Sequence, residues 1–316
     1  MWGYVGRRAL QGALVLWLVS VSIFSLVRIL PGDAIIMQLD QAAAPTPEVL
    51  AHARQELGLD RPLLQQYRIW IGGVLHGDLG RSLTTRRPVA QELVKRISLT
   101  CHLAVMSMGI GLLIALPIGI LSAVRQDTSA DYIGRFVAVL GLSLPDFWLA
   151  TVAITFLAIW VGWIPPIGFA PIWADPGRTL SQLLIPATII GARLAAVSMR
   201  MTRSSLLEVL RQDYIRTARA KGRPERGIVL GHALKNALIP VITVIGQQFS
   251  VLLGGTVIVE VIFLQPGVGS LMLDAVQLRD YTTIQGAVLF FAAVIVVVNL
   301  LVDMSYAWLD PRIRYR

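Results

Sequence analysis

The sequence predicts an all-α integral membrane protein with six membrane-spanning helices. Three observations predict it. Hydrophobic residues make up 55% of the 316 residues and charged residues only 15%, with a mean hydropathy of +0.66; a soluble domain carries about 25% charged residues. Six apolar stretches are each long enough to cross a hydrocarbon core, which takes about 20 helical residues. The basic residues between those stretches fall mainly in alternate segments, as they do when cytoplasmic loops collect Lys and Arg.

The first span covers about 9–28: Arg7 and Arg8 precede an uncharged run that ends at Arg28. That run exceeds the apolar core of a signal peptide, and the "AAAP" at 42–45 lies too far from it to be its cleavage site. The others are about 97–124, 134–161, 181–202, 237–260 and 283–306. The third holds Asp146 directly after "SLP", where Pro145 can break the helix. The fourth carries Arg193 and Arg200, and the fifth ends at Glu260.

Charge sets the orientation. The 203–235 segment has eight bases and three acids, and both chain ends are basic, whereas 162–180 and 261–282 have one base each. This predicts cytoplasmic termini and a cytoplasmic 203–235 loop. The net charge of +9 is then a membrane signature and not a nucleic-acid one, since a DNA-binding reading needs a basic patch on a soluble fold.

Residues 31–96 are nearly balanced in charge and read as a small helical insertion on the outer face. In "TPEVLAHARQELG", Thr46 suits an N-cap, Pro47 the first helical position and Gly58 a stop. "PLLQQYRIWIGGVL" places Leu63, Tyr67, Trp70, Ile71 and Val74 at helical spacing. "HGDLGRS" reads as a tight turn. The organisation is therefore 1–30 for the N-terminus and first helix, 31–96 for the insertion, 97–306 for a five-helix core with a charged loop at 203–236, and 307–316 for a tail.

The charged loop is patterned. In "TRSSLLEVLRQDYIRTARAKG", Leu206, Leu210, Tyr214 and Ala218 recur every fourth residue and mark one helix face. Gly222 suits the left-handed position that ends a helix. Pro224 suits the first turn of a new one, with Glu225 near its positive end. A solvated basic loop needs no such bend. Helix, sharp turn and helix joined to two spans make a lever that a docked partner can move.

This stretch, "DYIRTARAKG…HALKNALIP", resembles the cytoplasmic motif of permease subunits of binding-protein-dependent ABC importers, and more narrowly their dipeptide, oligopeptide, nickel and glutathione branch. The general motif runs Glu-Ala-Ala, three residues, Gly, nine residues, Ile-x-Leu-Pro. With its glycine on Gly222, the second alanine falls on Ala218 and the leucine on Leu234. Arg216, Thr217, His232 and Lys235 occupy the Glu, Ala, Ile and Pro places, departures that resemble the peptide branch. "RRALQGALVLWLVSVSIFSLVRILPGD", "LGLDRPLLQQY", "HGDLGRSLTTRRPV", "FLQPGVGSLMLDAVQLRDYTTIQG" and "LVDMSYAWLDPRIRYR" resemble the same branch in the same order, so the likeness spans nearly the whole chain.

The resemblance implies the type I ABC importer permease fold and alternating access for peptide substrates, with glutathione or a nickel chelate as alternatives. It implies a second homologous permease, two ABC ATPase subunits that hold ATP and magnesium, and an extracytoplasmic binding protein. The implied ATPase-coupling loop includes Asp213, Tyr214, Arg216, Ala218, Arg219, Ala220, Gly222 and Leu234. Ala218, Ala220 and Gly222 are small enough for close docking, and Asp213, Arg216 and Arg219 are candidates for rim ion pairs. The resemblance also places "PGVG", with Pro266 and Gly267, near an outer gate and the binding-protein contact.

Ionisable residues inside a span are functional candidates by default. Arg193, halfway along the fourth span, faces the pathway and a substrate carboxylate in one reading; in the other it pairs structurally with an acid or snorkels, as Arg200 near the cytoplasmic end does. Glu260 pairs with a base or closes an outer gate, Asp146 reads as local structure, and His102 and Asp303 read as structural. Rival classes lack their motifs: neither H-E-x-x-H, G-x-S-x-G nor G-x-x-x-x-G-K-[ST] is present. The chain thus reads as a transport subunit without its own ATPase. Energy comes from another chain, or from an ion gradient in a secondary transporter. The single Cys101 excludes an intrachain disulfide, and no His, Asp and Glu cluster converges on a metal site.

Overall fold

The computed structural model describes residues 2–29, 60–166 and 168–309. The helix expected at 46–58 and the tail after 309 lie outside the described residues. The described residues form helices α1 (Trp2–Ile29), α2 (Leu63–Leu75), α3 (Val89–Val124), α4 (Ser129–Ser143), α5 (Asp146–Phe156), α6 (Pro176–Leu210), α7 (Asp213–Ala220), α8 (Glu225–Ile228), α9 (Leu234–Ile262), α10 (Val268–Gln277) and α11 (Tyr281–Leu309). A π-helical turn, Leu157–Val161, extends α5, and another, Val229–Ala233, joins α8 to α9.

Five of the six expected spans are continuous helices long and apolar enough to cross a membrane. The third is not. Its two halves, Ser129–Ser143 and Asp146–Val161, meet at 94°. The cause is Pro145: Leu144 before it is extended, at φ −90° and ψ 126°, because a residue preceding proline is excluded from helical geometry. Pro117, Pro186 and Pro240 lie inside α3, α6 and α9 without ending them, as neighbouring helices allow in a membrane.

By its internal contacts the chain forms two compact units: Leu99–Pro266 with residues from Val298 onward and the first five, and Gly6–Ser98 with Gly267–Val297. In the first unit α6 packs against α4, α5 and α9. It starts with Asp175 accepting the Arg178 amide at 2.9 Å and with Pro176 in its first turn. His102 accepts the Ile172 amide at 3.3 Å through Nε2 and lies against Phe169 and Trp173, the structural role expected of it. Glycine lets α3 and α6 touch: a Cβ on Gly191 would stand 2.7 Å from the Ser107 carbonyl oxygen, a backbone atom that cannot swing aside. Gly191→Val is therefore expected to lower the detergent melting temperature, at about 1–3 kcal/mol of overpacking. A melting curve like that of the unsubstituted chain would show that the two helices do not cross there.

In the second unit α2 packs on α1 through Phe24, Tyr67 and Trp70, with ring centroids 5.2 to 6.1 Å apart. Tyr67 and Ser20 share a hydrogen bond of 2.8 Å. The predicted apolar face thus holds from Tyr67 onward, while Leu63 is exposed. The "HGDLGRS" turn is present, with Gly77 and Gly80 both at positive φ. The stretch after it is fastened by a residue that local patterning did not single out. Asp280, 4% exposed, caps α11 by accepting the Thr283 amide and hydroxyl at 3.2 and 2.8 Å. The same carboxylate accepts the Ser82 hydroxyl at 2.5 Å and the Leu83 amide at 3.1 Å. The "PGVG" segment is not only a turn, since Val268 and Gly269 already belong to α10. Val268, Leu271 and Ala275 supply the buried face of that helix. It is short and follows directly on the Pro266–Gly267 turn, so its periodicity was hidden.

Candidate functional site

The charged segment folds as a hairpin with its own buried core. Ile215 of α7, Ile228 of α8, and Val229, Ala233 and Ala237 pack with Leu206 of α6 and Ala123 of α3. Full burial of one such aliphatic side chain contributes about 1.5–3 kcal/mol, so the hairpin is fixed and not a solvated loop.

The expected helix face is corrected. The helix breaks at Arg211 and Gln212, where Gln212 is extended (φ −71°, ψ 149°). The break resets the phase, so Ile215 is buried whereas Tyr214 is 43% exposed. Tyr214 instead accepts a 2.8 Å hydrogen bond from Asn236 at the base of the second arm. Ala218 still packs on the core. Continuity with a span exists only on the second arm, where α8, the π-helical turn and α9 run on without interruption. Leu234 is the first residue of α9 and is half-buried.

The bend forms as its residues dictate. Gly222 has φ +72°. Its amide donates to Arg219 O at 2.9 Å, and the Arg223 amide donates to Ala218 O at 3.4 Å. This is the double hydrogen bond that closes a helix on a left-handed residue. Pro224, one position earlier than expected, precedes α8. Arg219 reaches across the bend to Glu225 with two bonds, Nη2–Oε1 at 2.6 Å and Nε–Oε2 at 3.2 Å. That hydrogen bond holds the guanidinium pKa above its ordinary value. Arg216 meets Asp213 at 3.4 Å on the exposed surface. Both arginines are thus paired within the chain. Ala220 and Gly222 are exposed, and no atom lies within 4 Å of where a Gly222 Cβ would stand.

Inside the spans, Arg193 has an acid beside it: Nη1 lies 3.6 Å from Oδ2 of Asp146, the first residue after the 94° break. Asp146 is therefore more than local structure. Glu260 is fully buried and accepts the Thr100 hydroxyl at 2.7 Å. Pro266 is exposed; Gly267 is buried and precedes α10.

Residues 115–315 match the family described as the binding-protein-dependent transport system inner membrane component, and residues 1–104 match the N-terminal family of the same system. The chain belongs to this family. It is an ABC importer permease, a transport subunit that crosses the inner membrane several times and works with ATPase and binding-protein partners. It is 42% identical over the full length of both chains to a glutathione transport system permease protein, GsiC, of Pectobacterium atrosepticum. It is 39% identical, over 98% of each chain, to a putative peptide transport system permease protein of Brucella abortus. Its fold matches that of a chain in inward-facing structures of the MetNI methionine ABC transporter, with a TM-score of 0.58, 18% identity, and 70% of this chain and 97% of that one covered.

The permease also holds a charged cluster that sequence reasoning missed. Asp131 of α4 is fully buried and receives Arg203 of α6 through two bonds of 2.7 Å. It also accepts the Ser122 hydroxyl and, at 3.0 Å, the Asp127 amide, and Arg135 approaches to 3.6 Å. Asp131 and Arg203 lie 72 positions apart, so no spacing rule joins them. The available signal was one acid at the foot of a span and a base at the end of another.

Proposed function

We propose that this permease moves peptides across the membrane by alternating access, and that the 203–236 hairpin couples it to separate ATPase subunits. The observation that carries the reading is the Gly222 bend: small exposed residues on a turn locked by Arg219–Glu225 and by its own core. The second arm of that hairpin runs directly into α9. A groove that grips the Ala218–Gly222 turn can therefore turn a spanning helix. The assembly is this chain, a second homologous permease, two ATPase subunits that hold ATP and magnesium, and an extracytoplasmic binding protein. Both termini and the hairpin face the cytoplasm, in line with their excess of bases. Pro266 and Gly267 mark the outer gate and the binding-protein side. The names of the relatives support a peptide substrate, glutathione being the alternative.

The test is a gentle detergent pull-down of the chain expressed with its chromosomal neighbours. A second six-span protein and ATPase chains are expected to co-purify. A chain that purifies alone and moves solute down an ion gradient would overturn the reading in favour of a secondary transporter.

A further inference from the structure

The midpoint of α6, Pro176–Leu210, is Arg193. This helix is the most buried of the candidate spans. Its Leu183, Ala187, Ile190, Leu194, Ala195 and Met199 are packed away, yet Arg193, Arg200 and Ser204 stay exposed along one side. The Arg193 side chain is 49% exposed. An arginine facing hydrocarbon at mid-span costs about 2.5 kcal/mol or more, so intramembrane cations face water-filled pathways or protein. This side of α6 is therefore not a lipid face.

The ion pair at this point is incomplete. Arg203 meets Asp131 through two bonds of 2.7 Å. Arg193 meets Asp146 through one approach of 3.6 Å. A guanidinium has five N–H donors in a fork that fits a carboxylate edge-on, and most of this fork is uncommitted among the described residues. Asp146 sits on the break between α4 and α5, with its side chain 14% exposed.

Resting on the peptide reading, we infer that Arg193 is a binding site for the substrate's carboxylate and that Asp146 is its resident counter-ion. Asp146 keeps the cation neutralised while the pathway is empty. An incoming peptide carboxylate takes the open side of the fork and displaces it. The ligand class is a small peptide with a free carboxylate. Asp146 competes with the substrate, so the two residues act with opposite sign.

The experiment uses the whole complex in proteoliposomes, with binding protein loaded with radiolabelled dipeptide. Arg193→Gln is expected to raise the loaded-binding-protein concentration for half-maximal uptake by about tenfold or more, the loss of a charge-assisted bidentate contact. Arg193→Lys recovers part of that loss. Asp146→Asn shifts the same concentration the other way, about threefold or more, because a competitor of comparable charge is gone. Co-purification with the other subunits persists in all three variants. Parallel losses in Arg193→Gln and Asp146→Asn, or loss of the partner permease in Arg193→Gln, would make the pair structural and overturn the inference. Uptake by Arg193→Gln like that of the unsubstituted complex would overturn it too. An unsubstituted complex that hydrolyses ATP and imports no peptide fails by a different readout and removes the peptide reading itself.

Discussion

Gly222→Val is expected to separate ATP hydrolysis from uptake. The residue sits at φ +72° with open space around it, so a side chain meets no neighbour and the strain is in the backbone alone. An L-residue in the left-handed region costs about 1–2 kcal/mol, and a β-branched one lies at the high end. Each 1.4 kcal/mol is a factor of ten in an equilibrium, so the bent form falls by about five- to thirtyfold. The spans do not depend on the bend, and the chain still inserts. In proteoliposomes ATP turnover is expected to continue while peptide uptake falls by about that factor. Gly222→Asn is expected to lose less, because asparagine tolerates positive φ. Equal losses in the two variants, or normal uptake with valine, would remove the bend from the coupling mechanism.

Asp131→Ala is expected to be strongly destabilising. It strands the Arg203 guanidinium, whose side chain is 17% exposed, and removes the acceptor of the Ser122 hydroxyl and the Asp127 amide. Breaking a buried pair from one side costs about 3–5 kcal/mol, a large part of the roughly 5–15 kcal/mol that holds a protein folded. The expected result is a low yield and a strongly lowered melting temperature on detergent size exclusion. Ser122→Ala is expected to cost about 1 kcal/mol. The double variant Asp131→Ala, Arg203→Ala is expected to lose less than the sum of the single losses, because no charge is then left alone. Additive losses would show that the two groups do not interact.

These two residues mark what the sequence could and could not say. Gly222 was legible because its reason is local: a helix end, a proline two residues on, and a backbone angle that only glycine takes freely. The break at Pro145 and the apolar runs were legible for the same kind of reason. Asp131, Arg203 and Asp280 were not, because each is explained by residues far away in the chain that folding brings to one carboxylate. Tyr214 and Ile215 fall between the two cases. The four-residue spacing was real, but a two-residue break at Arg211 and Gln212 shifted the buried face by one position. Arg193 and Asp146 were each legible as a charge in a span, while their pairing emerged only in three dimensions.

The Asp280 hub has a consequence for exchanging parts between relatives. One carboxylate closes the turn of the final helix and pins residues 82 and 83, nearly 200 positions earlier. Residues 79–85 and 280–283 therefore travel as a matched pair. A chimera that takes only one of them from a homologue with a different polar set leaves buried donors facing nothing. A chimera that takes both transplants a complete joint.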